Sequence, residues 1–484
     1  MEERGDPVTP PRLSEGALPQ ARPGVQRPAY DRAAARIGVA HFGPGAFHRA
    51  HQAWYFDQLL AHDPNWAIAA VSLKTPGVRD ALQPQDGLYT LAELDERTSF
   101  RVIGAIKQLL VAPETPDLVL ERLASPDTRL VTLTVTEKGY CLTPDGDLDL
   151  NHPDIVHDLT SPAAPASVIG WLVEGLRRRR LGGERPFDVL SCDNLTDNGL
   201  RLRKAVVQFA SERDPELARW IEGEARFPRT MVDSITPATD DVLRERTQAE
   251  TGLYDAWPIQ REAFVQWVIE DVLSPGAPDL AAVGATLTTD VRGFEQAKLR
   301  LLNGPHSTLA YAGLLRGHQT VGEAMDDVEL ASLVRTMMVD DIAPTLNVPP
   351  GLDVARYANA VLRRFRNPEI RHNLSQIAWD GSQKLPFRVL GTIRDALLRN
   401  GSLDRLSLPI AAWMVFVARC ARDGVPLVDP LAEQLAAVGR ACTGEAAADV
   451  ARFLAFSTVF PVELAAEPRF RSALEDAYGR LSAN

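Results

Sequence analysis

Between about residue 35 and about residue 290 the chain alternates short apolar runs with stretches of helical periodicity, and this alternation limits the possible folds more than any other feature. "RIGVAHFG" is a continuous apolar run ending in glycine, followed by the helical "HQAWYFDQLLAH". "NWAIAAVSL", "TRLVTLTVTEKGY", "FDVLSCDN" and "RTMVDSIT" are further strand candidates, with the amphipathic "SVIGWLVEGLRRRRL" ahead of "FDVLSCDN". Apolar strands separated by helices predict an α/β domain whose mainly parallel sheet is covered on both faces. After about residue 291 the strand patterns stop, and segments such as "LDVARYANAVLRRFR" and "AAADVARFLAFST" carry helical periodicity. The expected organisation is a loosely ordered N-terminal arm over 1–29, an α/β domain over 30–290 and an all-helical domain over 291–484. The arm is rich in proline and polar residues, with Leu13 and Leu18 available as local anchors.

The net charge of -12 argues against general binding to nucleic acid or to a membrane surface, since phosphate contacts need an excess of Lys and Arg. The run Arg177 to Arg180 follows a helical pattern and precedes Gly182 and Gly183, so it reads as positive charge at a helix C-terminus. No window approaches ~18 uninterrupted apolar residues, and the first residues lack the apolar core of a signal peptide. The four cysteines, Cys141, Cys192, Cys420 and Cys442, are far apart, which fits a reducing cytoplasm.

Gly43 and Gly45 in "GVAHFGPGAFHRAH" follow the first strand and open a helix, the setting of a dinucleotide site. The candidate cofactor segment is Phe42, Gly43, Gly45, Ala46, Phe47 and His48, with His48 where the usual pattern has its third glycine; a plain strand-to-helix turn is the alternative. The second strand ends at Lys74 and Thr75 rather than at an acidic residue, so Lys74 or Arg79 could meet a 2'-phosphate and NADP stays open beside NAD. Asn194 ends another predicted strand, where such sheets bind ligands, or it is a helix-capping asparagine. In "EQAKLRLLNGPHSTLAYAG", Lys298, His306 and Asn303 lie at about 0°, 80° and 140° around a helix, on the face shared with Leu299, Leu302 and Leu309. A buried lysine has a lowered pKa and can serve as general base, with amides stabilising an alkoxide. Pro305 requires either a kink or a new helix capped by Asn303. His41, His48 and His51 lie close in sequence but lack a Cys or carboxylate partner, so no metal site is expected.

Together, "GPGAFHRAHQA", "LTVTEKGY", "SCDN", "TMVDSITPA", "FVQWVIED", "KLRLLNGPHS" and "DGSQKLP" resemble the mannitol dehydrogenase family of polyol dehydrogenases and reductases, over nearly the whole chain after the arm. The resemblance implies a Rossmann-type doubly wound N-terminal domain, a mainly α-helical C-terminal domain and zinc-independent, NAD-dependent chemistry. It implies Lys298 as general base, Asn194 and Asn303 as alkoxide stabilisers and His306 as a substrate-positioning group. Asp233 and Lys384 match further active-site positions, and Glu137 matches an acidic gate. A monomer acting on a small sugar acid or polyol is the matching expectation.

Mannitol-oxidising members carry an arginine eight residues before the lysine of the D-G-S-x-K segment, where this chain has Gln376, with Arg371 and His372 just upstream. The segment is closer to the fructuronate reductases (mannonate oxidoreductases). A sugar acid needs a cation for its carboxylate, which makes Arg371, His372 and Lys384 the substrate-binding candidates. The expected reaction interconverts D-fructuronate and D-mannonate; mannitol/fructose interconversion is the alternative, and a dinucleotide-binding protein without catalysis is the non-enzyme alternative.

Overall fold

A computed structural model describes residues 10–483, in two compact units that divide between Val291 and Arg292. The strands of the first unit are β1 (Ile37–Phe42), β2 (Ala67–Ser72), β3 (Tyr89–Leu94), β4 (Ser99–Ile103), β5 (Ile106–Val111), β6 (Leu130–Leu133), β7 (Asp188–Ser191), β8 (Thr230–Asp233), β9 (Ile259–Glu262), β10 (Gln266–Glu270) and β11 (Thr286–Thr288). Five of them form a parallel sheet in the order β5-β2-β1-β6-β7. This is a doubly wound order whose switch point lies between β1 and β6, and ligands bind outside the carboxyl ends of strands at such a point.

Every residue of β2, β6 and β7 is buried, as expected of strands covered on both faces. On one face Ala40, Val131 and Val189 pack with the helices Pro116–Ala124, Val168–Leu181 and Asn198–Arg213. On the other, Val39, Ile68 and Leu190 pack with the helix Gln52–Leu59 and with Leu91, Ile259 and Trp267. The strand expected in "RTMVDSIT" is present as β8, but it lies outside the parallel sheet: it pairs antiparallel with β10. Apolar character predicted its burial and not its partner. The arginine run ends the helix Val168–Leu181, where Arg177 and Arg178 pair with Glu174.

The expectation of a loosely ordered arm is corrected for residues 10–29; residues 1–9 lie outside the described residues. Arg12 bridges to Tyr254 and Gln26 to Arg101, while Leu13, Ala17 and Ala21 are buried with Leu88, Val102 and Leu253. Their partners are remote in sequence, which hides them from a compositional reading.

The second unit is helical. Its central segment runs through the helix Val291–Lys298, a π-turn at Leu299–Asn303 and the helix Gly304–Leu315, which packs on the helix Leu408–Asp423. Among the described residues, no helix is long and apolar enough to cross a membrane.

Candidate functional site

In the first unit the glycine turn is set by backbone geometry. Gly43 adopts φ +88°, and a Cβ there would lie 2.1 Å from the Thr134 carbonyl oxygen, so only glycine fits. Its N–H donates to the Val71 carbonyl at 3.0 Å, and its own carbonyl accepts from Gly45 N–H at 2.7 Å and from Thr134 Oγ1 at 2.7 Å. Gly45 is exposed, and a Cβ on it would meet nothing nearer than 3.9 Å, which leaves open space over the turn. Phe42 is buried at the end of β1, while Ala46 and Phe47 are half-buried in the following turn of helix.

His48 holds the third-glycine position because its ring is fully buried and stacked on His41, with centroids 3.3 Å apart. His41 in turn is fixed by Thr132 Oγ1 at 2.8 Å and Thr134 Oγ1 at 3.0 Å. Burial pushes the pKa of His41 down to about 3 and holds His48 well below its usual value. Two stacked rings direct their in-plane lone pairs along parallel planes, which is unsuited to shared ligation of one ion. Cys141, His152 and Asp154 also gather three ligand types, but His152 Nδ1 accepts the Asp154 N–H at 3.2 Å. A neutral imidazole accepting there keeps its proton on Nε2.

The remaining candidates of this unit follow strand ends. Glu137 and Asn194 are exposed in the loops after β6 and β7, and Asp233 is the buried last residue of β8. Sequence reasoning passed over what holds those loops. Asp193, its pKa raised by burial, accepts from Val135 N–H at 3.0 Å, Thr136 N–H at 2.9 Å and Tyr140 O–H at 2.6 Å. Thr136, directly before Glu137, adopts φ 66° and ψ 164°, a region glycine favours. The Asp193 carboxyl therefore joins the Asn194 loop to a strained turn carrying Glu137. Arg79 is already held by Asp80 and Glu114, whereas Lys74 is exposed.

In the second unit Lys298 and Asn303 are half-buried and His306 is buried, all on the central helical segment. Lys298 is thus less enclosed than its apolar neighbours suggest. Pro305 follows a π-turn and not a side-chain cap from Asn303. Asn303 is right-handed helical at φ -75° and ψ -31° without a side-chain cap, and Gly304 N–H reaches back to the Leu299 carbonyl. That wider turn makes room for a proline ring that would otherwise strike the Leu301 carbonyl.

His306 stacks on Phe365 at 4.9 Å and meets His372 edge-on at 4.9 Å. Burial first, then His372, Arg388 and Arg364, hold its pKa well below 6.5, so the ring is neutral. Its Nε2 is buried without a hydrogen-bond partner. Lys384 is half-buried, and its pKa is lowered by burial and then by Arg388. Arg371 is exposed. The structure brings His372 to His306 and leaves Arg371 outside. Arg388, unnoticed in the sequence, also acts on His306.

A doubly wound parallel sheet with an obligatory glycine turn at its first strand defines a Rossmann-type dinucleotide-binding protein, and its residues fit that group. Residues 37–282 match the Mannitol dehydrogenase Rossmann domain and residues 290–482 the Mannitol dehydrogenase C-terminal domain. The chain belongs to the mannitol dehydrogenase family of oxidoreductases. It is 42% identical over 467 residues to a D-mannonate oxidoreductase of Escherichia coli K12, covering 94% of this chain and 96% of that one. It is 40% identical over 460 residues to a mannitol 2-dehydrogenase of Aspergillus fumigatus, covering 92% and 91%. A solved Pseudomonas fluorescens mannitol 2-dehydrogenase, in ternary complex with NAD and D-mannitol, superposes with a TM-score of 0.79 at 38% identity over 97% of this chain and 96% of that one.

Proposed function

We propose that the chain is an NAD-dependent, metal-independent oxidoreductase that interconverts D-fructuronate and D-mannonate. One observation carries the choice of an acid over a neutral sugar: His306 Nε2 is buried without a hydrogen-bond partner among the described residues, and Arg388, which acts on the ring, has the neutral Ser307 hydroxyl as its partner. Leaving such a group unsatisfied costs about 1–3 kcal/mol. A substrate that brings hydroxyls and a carboxylate relieves both the missing hydrogen bond and the charge. The Escherichia coli relative is a D-mannonate oxidoreductase, which agrees with this reading.

Bound nicotinamide cofactor supplies or accepts the hydride. In the oxidising direction Lys298 Nζ takes the hydroxyl proton, and in the reducing direction it returns that proton to the new alkoxide. Asn303 donates a side-chain N–H group to the oxygen as charge develops on it. His306, His372 and Lys384 orient the remaining oxygens, and Arg371 guides the acid from the exposed side.

A neutral polyol is the second reading, favoured by the 38% identical Pseudomonas fluorescens mannitol 2-dehydrogenase, solved with D-mannitol. The test is a panel of fructuronate, tagaturonate, fructose, mannitol and arabinitol, each with NAD(H) and NADP(H). The expected result is the highest kcat/KM for fructuronate with NADH. A higher value for fructose replaces the acid reading with the polyol reading, and a strong NADPH preference replaces the cofactor.

A further inference from the structure

Three buried or half-buried arginines of the second unit are met by carboxylates, while the half-buried Arg419 donates to the Leu315 carbonyl at 3.1 Å. Arg300 donates to Asp395 at 2.6 Å, Arg405 to Asp341 at 2.8 Å and Arg452 to Asp449 at 2.8 Å. Arg388 is different. Its hydrogen-bond partner among the described residues is a neutral hydroxyl, Ser307 Oγ, at 3.2 Å. A guanidinium withdrawn from water without a counter-charge is destabilising, and such an arrangement persists where something else supplies the charge.

Its position suggests what that is. Arg388 lies within a second π-turn, Pro386–Leu390, which packs against the π-turn Leu299–Asn303. The packing is close: a Cβ on Gly304 would lie 3.1 Å from the Arg388 carbonyl oxygen. Arg388 is thereby locked beside the segment carrying Asn303, His306 and Ser307. Ser307, next in the chain to His306, holds one arm of the guanidinium. His306 Nε2 offers a buried polar atom without a hydrogen-bond partner among the described residues.

We propose that Arg388 forms, with His306 Nε2, a subsite that receives the carboxylate of the substrate. A guanidinium offers two parallel N–H donors that match a carboxylate's two oxygens, and a sugar hydroxyl gives it only one. The subsite rests on the sugar-acid reading above and assigns the acid's recognition to a residue other than the exposed Arg371.

The experiment compares wild type with Arg388→Met, Arg388→Lys and Ser307→Ala, reading the ratio of kcat/KM for fructuronate to that for fructose and the inhibition constant of D-gluconate against fructuronate reduction. Truncating one partner of a buried charge pair predicts that Arg388→Met lowers the ratio about 100-fold, mainly through KM, and raises the gluconate constant similarly. Arg388→Lys, which keeps the charge and loses the fork, falls between. Ser307→Ala weakens gluconate by about 10-fold at unchanged net charge. Should Arg388→Met fail to fold, as judged by thermal melting, the other two variants decide. An unchanged ratio and gluconate constant across the folded variants overturns the subsite. The wild-type panel alone decides the sugar-acid reading, so the two can fail separately.

Discussion

Lys298, Asn303 and His306 stand out in the sequence because each is polar on an otherwise apolar helical face, a conflict that physical chemistry does not leave without a reason. Arg388 could not be noticed that way. The chain has many arginines, and what singles this one out is its place beside the segment carrying His306, with the Ser307 hydroxyl as its hydrogen-bond partner among the described residues, a relation visible only in three dimensions. The proposed base gives a direct prediction. Lys298→Ala lowers turnover by about 100-fold or more, the usual contribution of a general base, while dinucleotide binding measured by fluorescence stays near wild type. Near-normal turnover removes Lys298 from the mechanism. The neutral state of His306 gives another. Its pKa is depressed by burial and by nearby cations, so the ring stays uncharged as the pH falls through 6.5. The pH profile of KM for the sugar should therefore lack an ionisation of ordinary histidine assignable to His306. A break near pH 6.5 that disappears in His306→Gln shows an imidazolium at work instead.

At the scale of elements, β1, β2, β6 and β7 were legible because continuous apolar runs bounded by glycine or polar residues leave few alternatives. The extended reading of "TRLVTLTVTEKGY" was too long, since β6 ends at Leu133 and the chain turns through the strained Thr136. Pairing partners were not legible: the sequence of β8 resembles that of the parallel strands, and its separate sheet depends on β10. The edge strand β5 was missed because its exposed Lys107 interrupts the apolar run. The glycine turn was read from spacing alone, and the structure adds why substitution there is costly. Gly43→Ala requires a left-handed alanine, at about 1–2 kcal/mol, and in addition drives a methyl into the Thr134 carbonyl. The expected outcome is a fall of about 10-fold or more in dinucleotide affinity by calorimetry on the purified protein. Unaltered affinity means the turn does not shape that site.

For the whole molecule, the change from alternating to purely helical patterning near residue 290 was legible, since it requires only the loss of strand signals. The tethered N-terminal segment was not, because its contacts cross most of the first unit. Leu13 is fully buried there. The same segment sets a constraint on biosynthesis. Arg12 pairs with Tyr254, so roughly 240 residues separate the two sides of the contact. At about 5–20 residues per second of translation, Leu13, Ala17 and Ala21 emerge roughly 10–50 seconds before Tyr254 and Leu253 exist. These side chains therefore leave the ribosome well before the partners that bury them, and until then a chaperone or a neighbouring nascent chain can occupy them.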